Sequence, residues 1–430
     1  MKTEAHLQPA RHVAAAIERG ELSAESLARS CLERIAARNP QVQAFCASDP
    51  EVALARARAV DRSRHGALRG LPFAAKDVID TADFATSFGS TIHAGRRPVA
   101  DAACVALAQA QNAVLMGKTV TSEFATQTPG PTRNPHHLGH TPGGSSSGSA
   151  AAVADAMVPV AFVTQTTGSI IRPAAYYGVV GFKPSLGWIP AAGVMTLSPS
   201  NDTVGVLARD VADAAFFSRG LHAERGTLPV ASRPRILVCR SSQWSHLSAP
   251  GLQAIESFAA RLERAGARVG HFELAPELES AITLQSRIVA WEARHSLVAE
   301  RLDHAARLSP RLQLRLDEAA AVTVQEYMGM LQRAALVRVR VQALFAQADA
   351  LLYPAADGEA EAGVEQSGSP RFGALWTLAH VPCVALPIGR GPAGLPLGVQ
   401  LIGAHGDDER LLAIAHFAEG ASEFEPRIPT

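Results

Sequence analysis

The sequence predicts an α/β fold in which helices cover a β-sheet. Short apolar, strand-like runs alternate with stretches of helical periodicity along the chain. With 47% hydrophobic and 19% charged residues over 430 positions, it carries enough apolar material for a large core. Length alone allows about three domains or one large α/β unit. No repeat or composition break marks a boundary, so a single domain over 1–430 is expected.

In chain order, the first seventy residues read as helical. Ser23 suits the N-cap of a helix through Ala37 that stops near Asn39-Pro40. A second helix is expected over 51–64. Residues 73–79 form an apolar strand-like run with Lys76 and Asp77 inside it. Residues 102–111 read as helix and 113–116 as strand. Residues 128–148 are rich in Gly, Ser, Pro and Thr, yet lie between structured elements, which points to a functional loop rather than a linker. A helix then opens over 150–156 and a buried strand follows at 158–164. Strands at 235–239 and 268–272 flank a helix at 252–265. Residues 278–348 show helical periodicity. The tail returns to strands at 383–387 and 397–402 and a helix at 408–418. The Pro/Gly/Glu-rich stretch 355–370 reads as an exposed loop, a candidate lid.

The 40 basic and 40 acidic side chains cancel, which excludes a generally basic nucleic-acid binder. The N-terminal residues lack the apolar run of a signal peptide, and the most apolar stretch, 150–163, is interrupted by Asp155 and Pro159 and is too short to span a membrane. Cys31, Cys46, Cys104, Cys239 and Cys383 form neither a CxxC pair nor a disulfide framework, so they are read as reduced thiols of a cytoplasmic protein. Only four basic residues are lysines: Lys2, Lys76, Lys118 and Lys183. Where arginine supplies the surface charge, a remaining lysine marks a place that needs an amine, because Arg does not lose its proton in a protein and a buried Lys can.

Several motif matches fail on their own requirements. Gly117-Lys118-Thr119 resembles the end of a phosphate-binding loop, but the glycine needed five residues before the GK pair is Asn112. The cluster His136, His137, His140 lacks helical HExxH spacing and thiol partners, so hydrogen-bonding histidines in a loop are expected there, and no metal. Asp407, Asp408 and Glu409 stand where a helix begins, which capping and the helix dipole explain. Gly144-Ser145-Ser146-Ser147-Gly148 matches the GxSxG nucleophile elbow, but an elbow needs a strand directly before it.

Three segments fit together chemically. In Leu71-Pro72-Phe73-Ala74-Ala75-Lys76-Asp77, an amine within an apolar strand is desolvated and can serve as a neutral base. Strand alternation turns Asp77 away from it. In Thr141-Pro142-Gly143-Gly144-Ser145-Ser146-Ser147-Gly148-Ser149, two glycines permit unusual backbone shapes before a serine run. In Gln165-Thr166-Thr167-Gly168-Ser169-Ile170-Ile171-Arg172-Pro173, a Gly-Ser turn after a buried strand can aim backbone N–H groups into a cavity beside a hydroxyl.

Together these segments resemble the amidase signature family of serine hydrolases. The match runs from GELS, LERI and NPxxxAF near the N-terminus to GLPLGVQLIG and DERLL near the end. It is densest in LxGLPFAAKD, GKTxxSEFAT, NPHHLGHTPGGSSSGSAAAVA, GSIIRPAAYYGVVGFKPS and DTVGVLARDVAD. The resemblance implies a large mixed β-sheet with helices on both sides, a signature core over about 66–215 and a helical pocket insertion over about 275–350. It implies a Ser-cisSer-Lys triad with Ser169 as nucleophile, Ser145 as bridge after a cis Gly144–Ser145 peptide, and Lys76 as base. Backbone N–H groups of Thr166, Thr167, Gly168 and Ser169 would form the oxyanion hole. Ser146 would support the network, and Ser147 and Ser149 would open the following helix. Lys118 and Lys183 would hold the core together. The pocket walls would come from 278–348 and 372–380, with Trp376 as an aromatic contact.

The chain departs from the family's usual DTGGS(I/V)RxP. Gln165 replaces the Asp, Thr167 the first Gly and Ile171 the Arg, with Arg172 one position later. Asp and Arg are expected to disappear together, because either alone leaves a buried charge unpaired. The QTxGSxIRP form is similar to that of malonamidase-type members acting on small amides. Arg172 is thus expected to bind a substrate carboxylate in bidentate fashion, or else to pair with a structural carboxylate or backbone carbonyls. The expected function is hydrolysis of a linear amide, without metal or organic cofactor. The partners expected are a small-molecule amide and a second copy in a homodimer, not nucleic acid or membrane. The amidase subunit of a tRNA-dependent amidotransferase, an α/β-hydrolase-like esterase and a non-catalytic binding protein on the same scaffold remain as alternatives.

Overall fold

A computed structural model of the chain describes residues 4–63 and 65–429. Arg64, the last residue of the expected second helix, lies outside these, as do Lys2 and the rest of residues 1–3. Eleven strands form one mixed sheet: Phe45–Ala47 (β1), Pro72–Lys76 (β2), Val114–Thr119 (β3), Val160–Gln165 (β4), Val180–Lys183 (β5), Thr203–Ala208 (β6), Arg235–Arg240 (β7), Arg268–Glu273 (β8), Ala350–Pro354 (β9), Cys383–Arg390 (β10) and Pro396–Ile402 (β11). Their order is β1-β3-β2-β4-β6-β5-β10-β11-β9-β7-β8. β2 runs parallel to β3 and β4, and β7 to β8 and β9; the other neighbours are antiparallel. Every residue of β2, β3, β4, β5, β6 and β9 is buried. Strands buried on both faces require cover on both sides of the sheet. They also show no polar–apolar alternation, which is why β5, β6 and β9 leave so faint a trace in the sequence. The edge strand β8 has only exposed and half-buried residues. Among the described residues no helix is long and apolar enough to cross a membrane.

Most expected helices shift by a few residues at their ends, and two of the shifts bear on the site. The helix capped by Ser23 continues through Pro40 to Val42. One proline there removes a single backbone bond, while Gln43 N–H still reaches the Asn39 carbonyl at 2.8 Å and Val42 is fully buried. The polar loop ends at Ser146, not Gly148, because a helix begins at Ser147 and runs to Ala154. All eight of its residues, SGSAAAVA, are buried, so it presents no amphipathic period to read. Gly148 sits against the Ala44 carbonyl and Val120 N, where a Cβ would collide.

The stretch 355–370 is not a free lid. Ala355, Ala356, Ala360 and Ser367 are buried, and the segment is tied to the serine loop by Thr141 N–H to the Glu361 carbonyl at 2.8 Å. His140 Nδ1 bonds the Ala360 carbonyl at 2.7 Å and His136 Nε2 the Tyr177 carbonyl at 2.8 Å, so these two imidazoles serve as hydrogen-bonding groups.

The 407–409 carboxylates are not explained by capping alone. Asp407 makes no capping bond, and the buried Asp408 reaches back to Ser185, accepting from its N–H at 2.8 Å and its hydroxyl at 2.6 Å. Asp408→Ala leaves both donors unpaired and is expected to cost about 1–3 kcal/mol, read from the midpoint of urea unfolding.

Candidate functional site

The parallel register of β2 and β4 builds the centre. Phe73, Ala74 and Ala75 align with Val160, Ala161 and Phe162, so both strands end on the same side, with Lys76 beside the Thr164–Gln165 end of β4. Such carboxyl ends are where open α/β sheets carry their sites. The helix Ser147–Ala154 packs on these strands and delivers the preceding serines to the same place. The Gly144–Ser145 peptide is cis.

Lys76 has no exposed surface. Its Nζ lies 2.7 Å from Ser145 Oγ, 2.9 Å from Thr164 Oγ1 and 3.4 Å from the Thr164 carbonyl. Burial lowers its pKa to about 7, with Asp202 opposing the shift and Arg172 adding to it. A neutral amine has two donors and one acceptor. The two oxygens of Thr164 fit the donors, which leaves the lone pair for the Ser145 hydroxyl proton. Asp77 indeed turns elsewhere, bonding Lys118 Nζ at 3.0 Å and Ser87 Oγ at 2.5 Å. Lys118 and Lys183 are also fully buried; Lys183 donates to the Val381 carbonyl at 2.6 Å.

After β4 the chain turns through 166–170 into the helix Ile171–Tyr177. Gln165, buried and uncharged, holds this turn. Its side-chain oxygen accepts the N–H groups of Ile170 at 2.8 Å and Ile171 at 3.1 Å, and its Nε2 donates to Thr377 Oγ1 at 3.0 Å. This explains how the turn dispenses with a charged pair at 165 and 171. Among the described residues the backbone N–H groups of Thr167, Gly168 and Ser169 find no protein acceptor. The Thr166 N–H likewise finds none, and the Thr166 hydroxyl donates to Asp202 Oδ1 at 2.5 Å. Ser169 is buried, and its hydroxyl has no hydrogen-bond partner among the described residues. Lys76 and Ser145 are therefore brought together, while the Ser145–Ser169 link is not made here. Ser146 Oγ donates to the Thr164 carbonyl at 3.3 Å, in keeping with a supporting place. No strand precedes it directly, so the nucleophile-elbow requirement is unmet.

Arg172 is buried, and Nη2 donates to the Gly144 carbonyl at 2.5 Å. Its Nε and Nη1 have no hydrogen-bond partner among the described residues, nor has the Tyr176 hydroxyl. Burial lowers the guanidinium to about 10, so it stays charged at neutral pH. Trp376 has no exposed surface, packs edge-on to Tyr353 at 5.3 Å, and its Nε1 has no hydrogen-bond partner among the described residues.

Three residues near the centre escape the sequence reading. Thr164 is betrayed only by its place at the end of a strand beside the lysine strand. Asp202 lies in the DTVG run. Its Oδ2 accepts the N–H groups of Leu197 at 2.7 Å and Ser198 at 2.8 Å, and burial raises its pKa to about 6. Gln285, on the helix Pro276–Ser296, donates from Nε2 to the Thr166 carbonyl at 2.8 Å, and nothing in the sequence distinguishes it from its helical neighbours. A cavity of ≈ 20 Å³ lies between Thr164, Thr166, Asp202 and Met195. A groove of ≈ 1200 Å³ opens elsewhere, among the N-terminal helices.

The family model described as Amidase matches residues 26–412. The A-subunit of the glutamyl-tRNA(Gln) amidotransferase of Cupriavidus metallidurans is 31% identical over 97% of this chain and 98% of its own. The native peptide amidase of Stenotrophomonas maltophilia superposes with a TM-score of 0.84 at 30% identity, covering 99% of this chain and 98% of its own. A structure described as a vestigial protein complex that reveals the evolutionary origins of an s-triazine catabolic enzyme superposes with a TM-score of 0.89, at 26% identity over 98% of this chain and all of its own.

The uncharged turn makes a stability prediction. Gln165→Asp buries a carboxylate with no cation at 171 and is expected to cost about 2–4 kcal/mol. Adding Ile171→Arg is expected to recover part of it. Equal unfolding midpoints for the single and double variants would refute the charge argument.

Proposed function

The chain belongs to the amidase family and is a hydrolase of carbon–nitrogen bonds, and from that premise we propose that it cleaves a linear carboxylic amide through an acyl-enzyme on Ser169. The observation that carries this is the buried Lys76 amine, lowered to about 7 and 2.7 Å from Ser145 Oγ. Neutral Lys76 takes the Ser145 proton as Ser145 takes that of Ser169. Ser169 Oγ attacks the amide carbonyl, and the N–H groups left free at Thr166, Thr167, Gly168 and Ser169 receive the negative charge on its oxygen. The proton returns through Ser145 to the departing amine, and water then releases the acid.

The substrate is proposed to be a small amide bearing a carboxylate. The unpartnered Nε and Nη1 of Arg172 support this, since a buried guanidinium with spare donors fits an anion. Of the roles weighed from sequence, pairing with a structural carboxylate finds no support, whereas the Gly144 carbonyl already uses one nitrogen. The second reading, membership of a tRNA-dependent amidotransferase complex, is favoured by the 31% identity to one of its subunits. Glutaminase activity that appears only with added partner proteins would decide for it. Five free thiols fit the cytoplasmic setting we propose.

Peptide mapping after fluorophosphonate treatment is expected to find the adduct on Ser169. Because the base must be neutral, the rate of labelling should fall as pH drops below about 7. Lys76→Ala should abolish labelling. An adduct on Ser146, or labelling indifferent to Lys76, would refute the mechanism. Arg172→Ala is expected to lower kcat/KM on a carboxylate-bearing amide by about 10²-fold or more, and far less on its neutral analogue. Equal losses would refute the carboxylate assignment.

A further inference from the structure

We propose that Gln285 and Thr377 are positioning residues for the oxyanion hole: from two separate helices they hold the Thr166 and Thr167 carbonyls and so aim the N–H groups of Thr167 and Gly168. The inference rests on the amidase mechanism above. It follows from the planarity of the peptide unit, in which a trans C=O and the next residue's N–H point in opposite directions. Gln285 Nε2 donates to the Thr166 carbonyl at 2.8 Å and to Thr167 Oγ1 at 3.2 Å, which uses both of its donors. The Thr167 N–H is thereby turned to the opposite side. Thr377, on the helix Arg371–Leu378, donates its hydroxyl to the Thr167 carbonyl at 2.9 Å and accepts Gln165 Nε2 at 3.0 Å. That turns the Gly168 N–H in the same manner.

Both side chains are 1% exposed, so water is a poor substitute for either. The helix Arg371–Leu378 meets the turn at Gly373, where a Cβ would strike the Thr167 carbonyl. The helix Pro276–Ser296 is anchored two turns further along, where Glu292 accepts the Ser198 hydroxyl and the Tyr327 hydroxyl, the latter at 2.6 Å. Gln285 comes from the helical segment outside the signature core. The part of the fold expected to shape the substrate pocket therefore also sets the aim of the charge-stabilising donors.

The test is the rate of fluorophosphonate adduct formation on Ser169, measured across pH for the full chain and three variants. Gln285→Leu and Thr377→Val are expected to label about tenfold more slowly or worse, with the midpoint of the acid limb unchanged. Thr377→Ser keeps the hydroxyl and is expected to stay within about twofold of the wild type. Wild-type rates in Gln285→Leu and Thr377→Val would overturn the inference. So would a Thr377→Ser variant as slow as Thr377→Val, since packing rather than the hydroxyl would then matter. Should Gln285→Leu not fold, the Thr377 pair decides. No adduct in the wild-type protein would overturn the amidase mechanism, and this inference with it.

Discussion

Removing the Lys76 amine from water is the constraint around which the centre is built. In that position a charged ammonium is disfavoured, and a neutral amine needs partners of a particular kind. Thr164 offers two acceptors, one from its backbone and one from its side chain, and Ser145 can offer a proton. Those partners exist only because β2 and β4 run parallel and in register, and because a helix of small residues fits closely enough behind them. The sheet order, the all-buried serine helix and the loop that enters it are parts of one arrangement. Loosen the packing, admit water, and the amine regains its charge and ceases to be a base.

The turn after β4 shows a second economy. Where a carboxylate and a guanidinium would have to be buried together, this chain uses one neutral amide that accepts two N–H groups and donates to Thr377. Neutrality removes a desolvation cost and frees position 171 for an apolar side chain. Arg172 then stands one step further on, held at one nitrogen only.

How much of this was legible depended on what kind of signal each residue leaves. Lys76 was readable because an amine in an apolar strand is chemically conspicuous, and the more so when lysine is scarce. Ser145 and Ser169 were readable from long motifs. The extension past Pro40 was hidden because burial of Val42 outweighs a proline preference. The helix Ser147–Ala154 is displaced from the expected 150–156 because full burial erases periodicity. Trp376 shows a limit of the sequence, because an aromatic residue near a pocket segment looks the same whether it lines the pocket or the core behind it. Thr164, Asp202 and Gln285 act through tertiary geometry, and a lone Gln on a long helix carries no mark of the carbonyl it will meet.

The distribution of lysine has a consequence for the exterior. Lys76, Lys118 and Lys183 are all without exposed surface, so every basic side chain on the described surface is an arginine or a histidine. Guanidinium keeps its proton well beyond the range, near pH 10.4, in which a lysine-coated protein sheds positive charge. The cationic half of this surface is accordingly constant through alkaline pH, while the amine made to titrate near neutrality is sealed inside. An amine-directed coupling reagent would find no side-chain target on the described exterior.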